Sequence, residues 1–312
     1  MKLKNDNHIA IIGEGMIGMG LAVLFTGNGY KTTVFAIDPK AGKQRYDNYY
    51  KDLIDLNLVT EKQAKACEKY LYFTGNYEDI SDADFIIECV VERLEVKYEV
   101  YKNIEKNCTK YKAIASTTSA ISADDLANGV EQKDKILVAH PWNPPHLVPC
   151  VEVVKSKYTS VEAVTATKEI LESVGREVAV MNRPAPGFIG NRLQHALYRE
   201  AVYMVEQGIA SPEDIDKTLR SSFIPRYTSI GLFEHFDYAG LDMIVSIDDY
   251  LFPDLCNATK AQDYIRSRYE AGNLGYKTGK GVYDWNNVDM EKFRKRASAP
   301  YLQFFNWSLP EE

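Results

Sequence analysis

His8-Ile-Ala-Ile-Ile12-Gly13-Glu-Gly15-Met-Ile-Gly18-Met-Gly20 is the stretch whose reading decides the fold. His8 to Ile12 is a short apolar run of the kind that forms a buried strand. Glycines at 13, 15 and 18 follow at once, and an apolar helical pattern continues through Phe25. A lone G-x-G-x-x-G says little; between a strand and a helix near the start of a chain it is the pattern of a dinucleotide-binding turn. Gly13 permits the tight turn, Gly15 lets a pyrophosphate approach the backbone, and Gly18 lets helix and strand pack closely. The helix N-terminus, at Met16 and Ile17, then faces the phosphates. The competing reading is a glycine-rich turn with no ligand.

Working outward, Thr32 to Ala36 reads as the second strand, which should end near an acid that binds the adenosine ribose. Asp38 is the acid close by, with Ala36 where such an acid is expected, and Lys40, Lys43 and Arg45 follow as alternatives that could meet a 2′-phosphate. NAD is favoured over NADP. Residues 40–75 read as helical and polar, with Thr60-Glu-Lys-Gln63 as a capping box. Asp84 to Glu92 reads as the next strand and Glu95 to Glu105 as the helix after it, so Glu92 and Lys97 fall at the edge where open α/β sheets bind ligands. An exposed pair of charges at a helix start is the plainer reading of those two. Lys112 to Ala115 leads into the hydroxyl-rich Ser116-Thr-Thr-Ser119, which either caps a turn or reaches a substrate oxygen. A helix over 160–174 and a last strand over 176–181 complete the alternation of a doubly wound, mostly parallel sheet.

Within that alternation Ile136-Leu-Val-Ala-His140-Pro-Trp-Asn143-Pro-Pro-His-Leu-Val-Pro-Cys-Val-Glu152-Val-Val154 stands apart. Two apolar runs flank a proline-rich corner and read as neighbouring strands; one ends at an imidazole and the other carries a carboxylate among valines. An ionised Glu in such a run is costly unless paired. His140 is the natural partner: a carboxylate that holds one ring nitrogen leaves the other free to take a proton. A structural ion pair is the alternative.

Asn182-Arg-Pro-Ala-Pro-Gly187 is a shift in composition that divides a dinucleotide-binding domain, residues 1–184, from a second domain, residues 185–312. From Phe188 a single apolar helical stripe runs through Ile189, Leu193, Ala196, Leu197, Ala201, Met204 and Val205, and Ser211-Pro-Glu-Asp214 opens another helix. The second domain is expected to be nearly all α. Asn191 falls in the first turn of its long helix, where it either caps or reaches a ligand.

The chain has 312 residues, 45% hydrophobic and 26% charged, with a net charge of −7 that disfavours a general nucleic-acid or anionic-membrane binder. Five cysteines, at 67, 89, 108, 150 and 256, form no CxxC pair, which is neither a disulfide framework nor a zinc pattern and suits a reducing compartment. Met1 to Asn7 shows no signal-peptide pattern, and Ile9 to Phe25 is interrupted by Glu14 and four glycines, so it is no membrane span. The expectation is a cytoplasmic protein with no metal.

Together these stretches resemble the L-3-hydroxyacyl-CoA dehydrogenase superfamily. The resemblance lies in the early glycine motif, the Glu92/Lys97 pair and Ser119 in a segment like S-N-T-S-S. It continues with His140 in H-x-x-N-P, Glu152 in V-E-V, Asn191 in G-F-I-x-N-R, and a late Gly275-Tyr-Lys-Thr-Gly279-Lys-Gly281-Val-Tyr283. It implies that His140 is the general base, that Glu152 orients it, and that Ser119 and Asn191 hydrogen-bond the reacting oxygen. It also implies that Glu92 and Lys97 contact NAD, that Asn143 lies at the substrate, and that the protein is a homodimer joined through its C-terminal domain. Thr117 departs from the family's Asn. Ile224-Pro-Arg226-Tyr and Gly231-Leu-Phe-Glu234 depart from the acyl-CoA enzymes and look more like the L-gulonate 3-dehydrogenase and lambda-crystallin branch, with carnitine dehydrogenases similar. Arg226 offers a planar fork for a free carboxylate, which a thioester does not need. The leading expectation is an NAD-dependent dehydrogenase of a small 3-hydroxy acid. A 3-hydroxyacyl-CoA dehydrogenase and a non-catalytic, crystallin-like dinucleotide binder are the alternatives. Cys256 sits in a context that does not suggest a nucleophile. The aromatic tail Tyr301 to Glu312 is expected to pack on a partner subunit.

Overall fold

The computed structural model describes residues 7–310, so the expectation for Met1 to Asn7 lies almost wholly outside the described residues. The chain forms two compact units, one drawn from Met1–Ile189 with Glu291–Glu312 and the other from Gly190–Met290.

The first unit runs β1 (His8–Ile12), α1 (Met16–Gly27), β2 (Lys31–Phe35), α2 (Pro39–Asp55), α3 (Glu61–Glu68), β3 (Leu71–Thr74), β4 (Phe85–Glu88) and α4 (Leu94–Asn107). It continues through β5 (Ile114–Ser116), α5 (Ala123–Leu126), β6 (Ile136–Pro141), β7 (Cys150–Lys155), α6 (Val161–Glu172) and β8 (Glu177–Met181). The strands form one sheet in the order β3-β2-β1-β4-β5-β6-β7-β8, and every neighbouring pair is parallel except β6 and β7. This is the doubly wound, mostly parallel sheet expected. Because side chains alternate along a strand, each strand feeds two cores. Ile9, Ile11, Val34, Leu137 and Val153 pack with Leu24 and Phe25 of α1, Tyr46, Tyr50 and Leu53 of α2, and Leu171 of α6. Ala10, Ile12, Ile86, Ile114, Val138 and Val154 pack on the opposite face with Tyr101 and Ile104 of α4 and Leu126 of α5. The parallel order brings the C-terminal ends of β1, β2, β4 and β5 to one edge.

Two expectations are corrected here. The polar segment 40–75 contains not only α2 and α3 but the edge strand β3, hidden in sequence because only Thr74 of Leu71–Thr74 is buried. The capping box at Thr60 is present as read. Phe188 is not the start of the long helix: it adopts a left-handed φ of 51° and is 5% exposed in the first unit, and the helix begins at Gly190. By contact the first unit extends to Ile189, and the chain returns to it at Glu291.

The second unit holds α7 (Gly190–Glu206), α8 (Pro212–Ser221), a 3₁₀ turn at Ile224–Thr228, α9 (Leu232–Ala239), α10 (Leu241–Leu251) and α11 (Asp263–Glu270). Ser211 caps α8 by accepting from Asp214 N, as its sequence indicated. Among the described residues the unit's only β pairing is the pair of isolated bridges Gly275–Lys280 and Lys280–Asp284. After α12 (Met290–Ser298) the tail packs on the first unit of its own chain. Trp307, 8% exposed, joins its core, and a Cβ on Gly27 would lie 2.4 Å from the indole. Ser308 N donates to Asn28 Oδ1 at 2.9 Å. No helix among the described residues is long and apolar enough to cross a membrane.

Candidate functional site

The glycine turn has the form its sequence promised. Gly13 has φ of +114°, and a Cβ on Gly18 would lie 2.0 Å from the Gly13 carbonyl oxygen, so each position requires glycine. At Gly15 an added Cβ would meet nothing within 4 Å, which leaves that backbone open to a ligand. Gly15 caps α1 without a side-chain bond, and the first turn carries no acid. The N–H groups at Met16 and Ile17 therefore stand at an uncapped helix start, which favours an anion. This backbone fits a pyrophosphate.

At the end of β2, Ala36 is buried, and the Asp38 carboxylate caps α2 by accepting from Ala41 N at 3.0 Å. Lys43 pairs with Asp47 at 2.5 Å and with Glu68 at 3.0 Å, and Arg45 Nη1 donates to the Glu14 carbonyl at 3.1 Å. Two of the three basic residues that might have met a 2′-phosphate are thus engaged within the protein. Sequence reasoning passed over Glu14, whose carboxylate accepts from Ile37 N at 3.3 Å and Asp38 N at 3.1 Å.

Of Glu92 and Lys97 only Glu92 is exposed. Lys97 is 1% exposed, and its Nζ lies 2.8 and 3.0 Å from the two Glu88 oxygens and 3.5 Å from Glu92 Oε2. Glu88, itself fully buried, also accepts from Ser116 Oγ at 2.7 Å, Tyr101 OH at 2.8 Å and Val90 N at 2.8 Å. Glu92 Oε1 accepts from the Thr118 hydroxyl, from Ser119 N at 3.0 Å and from Ala120 N at 3.1 Å. These bonds hold the Glu92 carboxyl below its ordinary pKa against the opposing effect of its partial burial, with Lys97 adding to them. The loop that presents the exposed Ser119 is therefore tied to the turn after β4.

His140 and Glu152 face each other across the antiparallel pair β6/β7, in direct register. Nδ1 lies 3.0 Å from Glu152 Oε2, with the two side chains 11% and 1% exposed. Glu152 Oε1 accepts from Ile189 N at 2.7 Å. Because a carboxylate only accepts, Nδ1 carries the proton and Nε2 is left as the acceptor. The Phe188 ring lies 5.2 Å from the imidazole and that of Trp142 6.3 Å away. Asn143 is exposed, precedes a cis proline and lines a cavity of about 380 Å³ with Met16, Tyr49 and His146. In the second unit Asn191 lies in the first turn of α7, and Arg226 Nη1 sits 2.7 Å from His235 Nε2, a contact with an imidazole instead of an acid. Among the described residues no group of three or more His, Cys, Asp or Glu could hold a metal.

Comparison with known proteins places the chain in a family. Residues 8–183 match the family described as 3-hydroxyacyl-CoA dehydrogenase, NAD binding domain, and residues 187–285 match its C-terminal domain. The chain is 30% identical over 277 residues to 5-formyl-3-hydroxy-2-methylpyridine 4-carboxylate 5-dehydrogenase of Mesorhizobium japonicum, covering 88% of this chain and 90% of that one. It is 34% identical over 237 residues to L-carnitine dehydrogenase of Oceanobacillus iheyensis, covering 74% and 76%. A crystal structure of the first enzyme, described as an NAD+ dependent dismutase, superposes with a TM-score of 0.83 at 27% identity, covering 95% of this chain and 96% of that one.

Proposed function

The chain belongs to the 3-hydroxyacyl-CoA dehydrogenase family of NAD-dependent oxidoreductases, and from that premise we propose that it oxidises or reduces the 3-position of a small free 3-hydroxy or 3-keto carboxylic acid. The observation that carries the proposal is the His140–Glu152 pair, a nearly buried imidazole with its outer nitrogen left to accept. NAD, when bound, supplies the hydride acceptor. His140 Nε2 takes the hydroxyl proton as the C–H electron pair leaves, and the Glu152 carboxylate stabilises the imidazolium that forms. Ile189 N fixes the second Glu152 oxygen, so the carboxylate keeps one orientation throughout. In the reverse direction the imidazolium returns the proton, and the Ser119 hydroxyl donates to the developing alkoxide. Glu92 and Lys97 act here by holding the Ser119 loop, and Asn143 lies at the substrate.

Two features favour a free acid over a CoA thioester. The two relatives above carry names without a thioester, and Arg226 supplies the forked donor that a carboxylate accepts bidentately. The protein is proposed to act as a homodimer joined through its second unit.

NADH formation with a panel of free 3-hydroxy acids and their CoA thioesters tests the reading. Free acids are expected to turn over; His140→Ala should lose on the order of 10²–10⁴-fold in rate. Arg226→Ala should raise KM for the acid with kcat little changed. Turnover of thioesters alone would overturn the substrate class, and an unimpaired His140→Ala would remove the proposed base.

A further inference from the structure

A dinucleotide fold usually carries an acid at the end of its second strand, roughly 20 residues past the glycine turn, to hydrogen-bond the adenosine ribose 2′-hydroxyl. Here that strand runs out through Phe35-Ala36-Ile37, and buried Ala36 has no side-chain acceptor. Asp38 comes later and uses Oδ1 to cap its own helix. The carboxylate that does stand at the strand end arrives from the other side of the turn. Glu14, the first variable residue of the glycine motif, reaches across to the N–H groups of Ile37 and Asp38. Room for its stem comes from Gly42 in the first turn of α2, where an added Cβ would lie 3.0 Å from Glu14 Cβ. Arg45 pins the same residue by its carbonyl. A carboxylate has about four lone-pair positions. The two backbone donors take up part of that capacity, and the side chain is only partly buried, so it can still accept from a ligand.

We propose that Glu14 is the residue that recognises the adenosine ribose diol of NAD and thereby selects NAD over NADP, a role transferred from the second strand to the glycine turn. This rests on the reading of the turn as the NAD site and names the residue that sets its preference. A carboxylate at this point accepts from both ribose hydroxyls. A 2′-phosphate would bring like charge against it, and two of the three nearby cations, Lys43 and Arg45, are engaged within the protein. The arrangement explains how a chain with Ala36 in place of the acid still carries an NAD fold.

Direct binding of NADH and NADPH, followed by nicotinamide fluorescence without substrate, tests the assignment in the wild type, Glu14→Gln and Asp38→Asn. Glu14→Gln keeps one accepting oxygen, enough for the shorter bond from Asp38 N but not for the longer one from Ile37 N, and a thermal melt checks that the turn stays folded. The wild type should prefer NADH. Glu14→Gln should weaken NADH by about tenfold, the loss expected for one charged hydrogen bond, while NADPH binds as well or better. Asp38→Asn should leave the preference near that of the wild type. Loss of preference in Asp38→Asn with none in Glu14→Gln would move the role to Asp38, and an unchanged preference in both would place recognition elsewhere. A wild type that binds neither cofactor would overturn the NAD reading itself, along with the proposal.

Discussion

At the scale of single residues, two histidines close in sequence, His140 in β6 and His146 in the turn after it, have been given opposite tasks by what lies beside them. His140 is paired with a carboxylate, whereas His146 is 2% exposed, its ring lies 4.5 Å from that of Tyr49 at a tilt of 48°, and its Nδ1 has no hydrogen-bond partner. Burial, and then the charge of Arg176, push the His146 pKa down from 6.5 to about 3. The folded protein therefore keeps this ring neutral, while the unfolded chain protonates it below pH 6.5. The folded pKa is the lower of the two, so the contribution is fully present above pH 6.5. It is lost as pH falls toward 3, at about 1.4 kcal/mol per pH unit. His146→Leu should reduce the drop in urea-unfolding free energy between pH 7 and pH 5 by about 2 kcal/mol. His8, whose pKa burial also lowers, is common to both proteins and cancels in the comparison. An identical pH dependence in the variant would mean that His146 is not held neutral in the fold. His-Pro-Trp-Asn-Pro-Pro-His as a string does not distinguish the two rings. His140 was legible because Glu152 stood in an otherwise apolar run, but the isolation of His146 depends on Arg176, thirty residues away.

At the scale of elements, the edge formed by β4, β5 and α4 is joined by charge. Glu88 ends β4, Lys97 lies one turn into α4, and the ammonium draws Glu88 and Glu92 together beneath the loop that carries Ser119. Removing one partner of a buried pair leaves the other uncompensated, at a cost of about 3–5 kcal/mol, whereas removing both is far milder. Lys97→Met should therefore destabilise strongly in chemical unfolding and speed amide exchange at Ser119 and Ala120, and adding Glu88→Gln should restore part of the stability. Additive losses would show that the two charges do not act as a unit. The sequence displayed Glu92 and Lys97 at the correct edge, because strand ends and helix starts are local patterns. It did not display their partner, since Glu88 in Phe-Ile-Ile-Glu looks like any strand terminus and the pairing is set by the turn between the elements. For the same reason Glu14 and the returning tail were missed: Glu14 to Ile37 and Trp307 to Gly27 are contacts between segments far apart in the chain.

At the scale of the molecule, the two units differ in how they are held together. The first has two large cores, one on each face of its sheet. In the second, among the described residues, only Val202 and Ile215 are buried. Helices α9 and α10 bury nothing, yet they carry Phe233 at 87% exposure, Tyr238 at 90%, Leu241 at 61%, Val245 at 58% and Tyr250 at 86%. A helical unit of this length with two buried side chains does not remove enough apolar surface from water to offset its chain entropy, and contiguous apolar patches of this kind mark association sites. In the proposed homodimer a second copy of the chain would supply the missing partner surface without any further component, and a two-fold interface would cover the same patch on both copies. Sedimentation should therefore give twice the 35.4 kDa chain mass, with a melting temperature that rises with protein concentration. Leu241→Glu combined with Val245→Glu should yield a monomer that melts lower and binds an apolar dye, because the charges desolvate at the interface but not on a free surface. A wild-type monomer with a concentration-independent melt would mean that the second unit is stable with this face in water, and the homodimer would have to be abandoned.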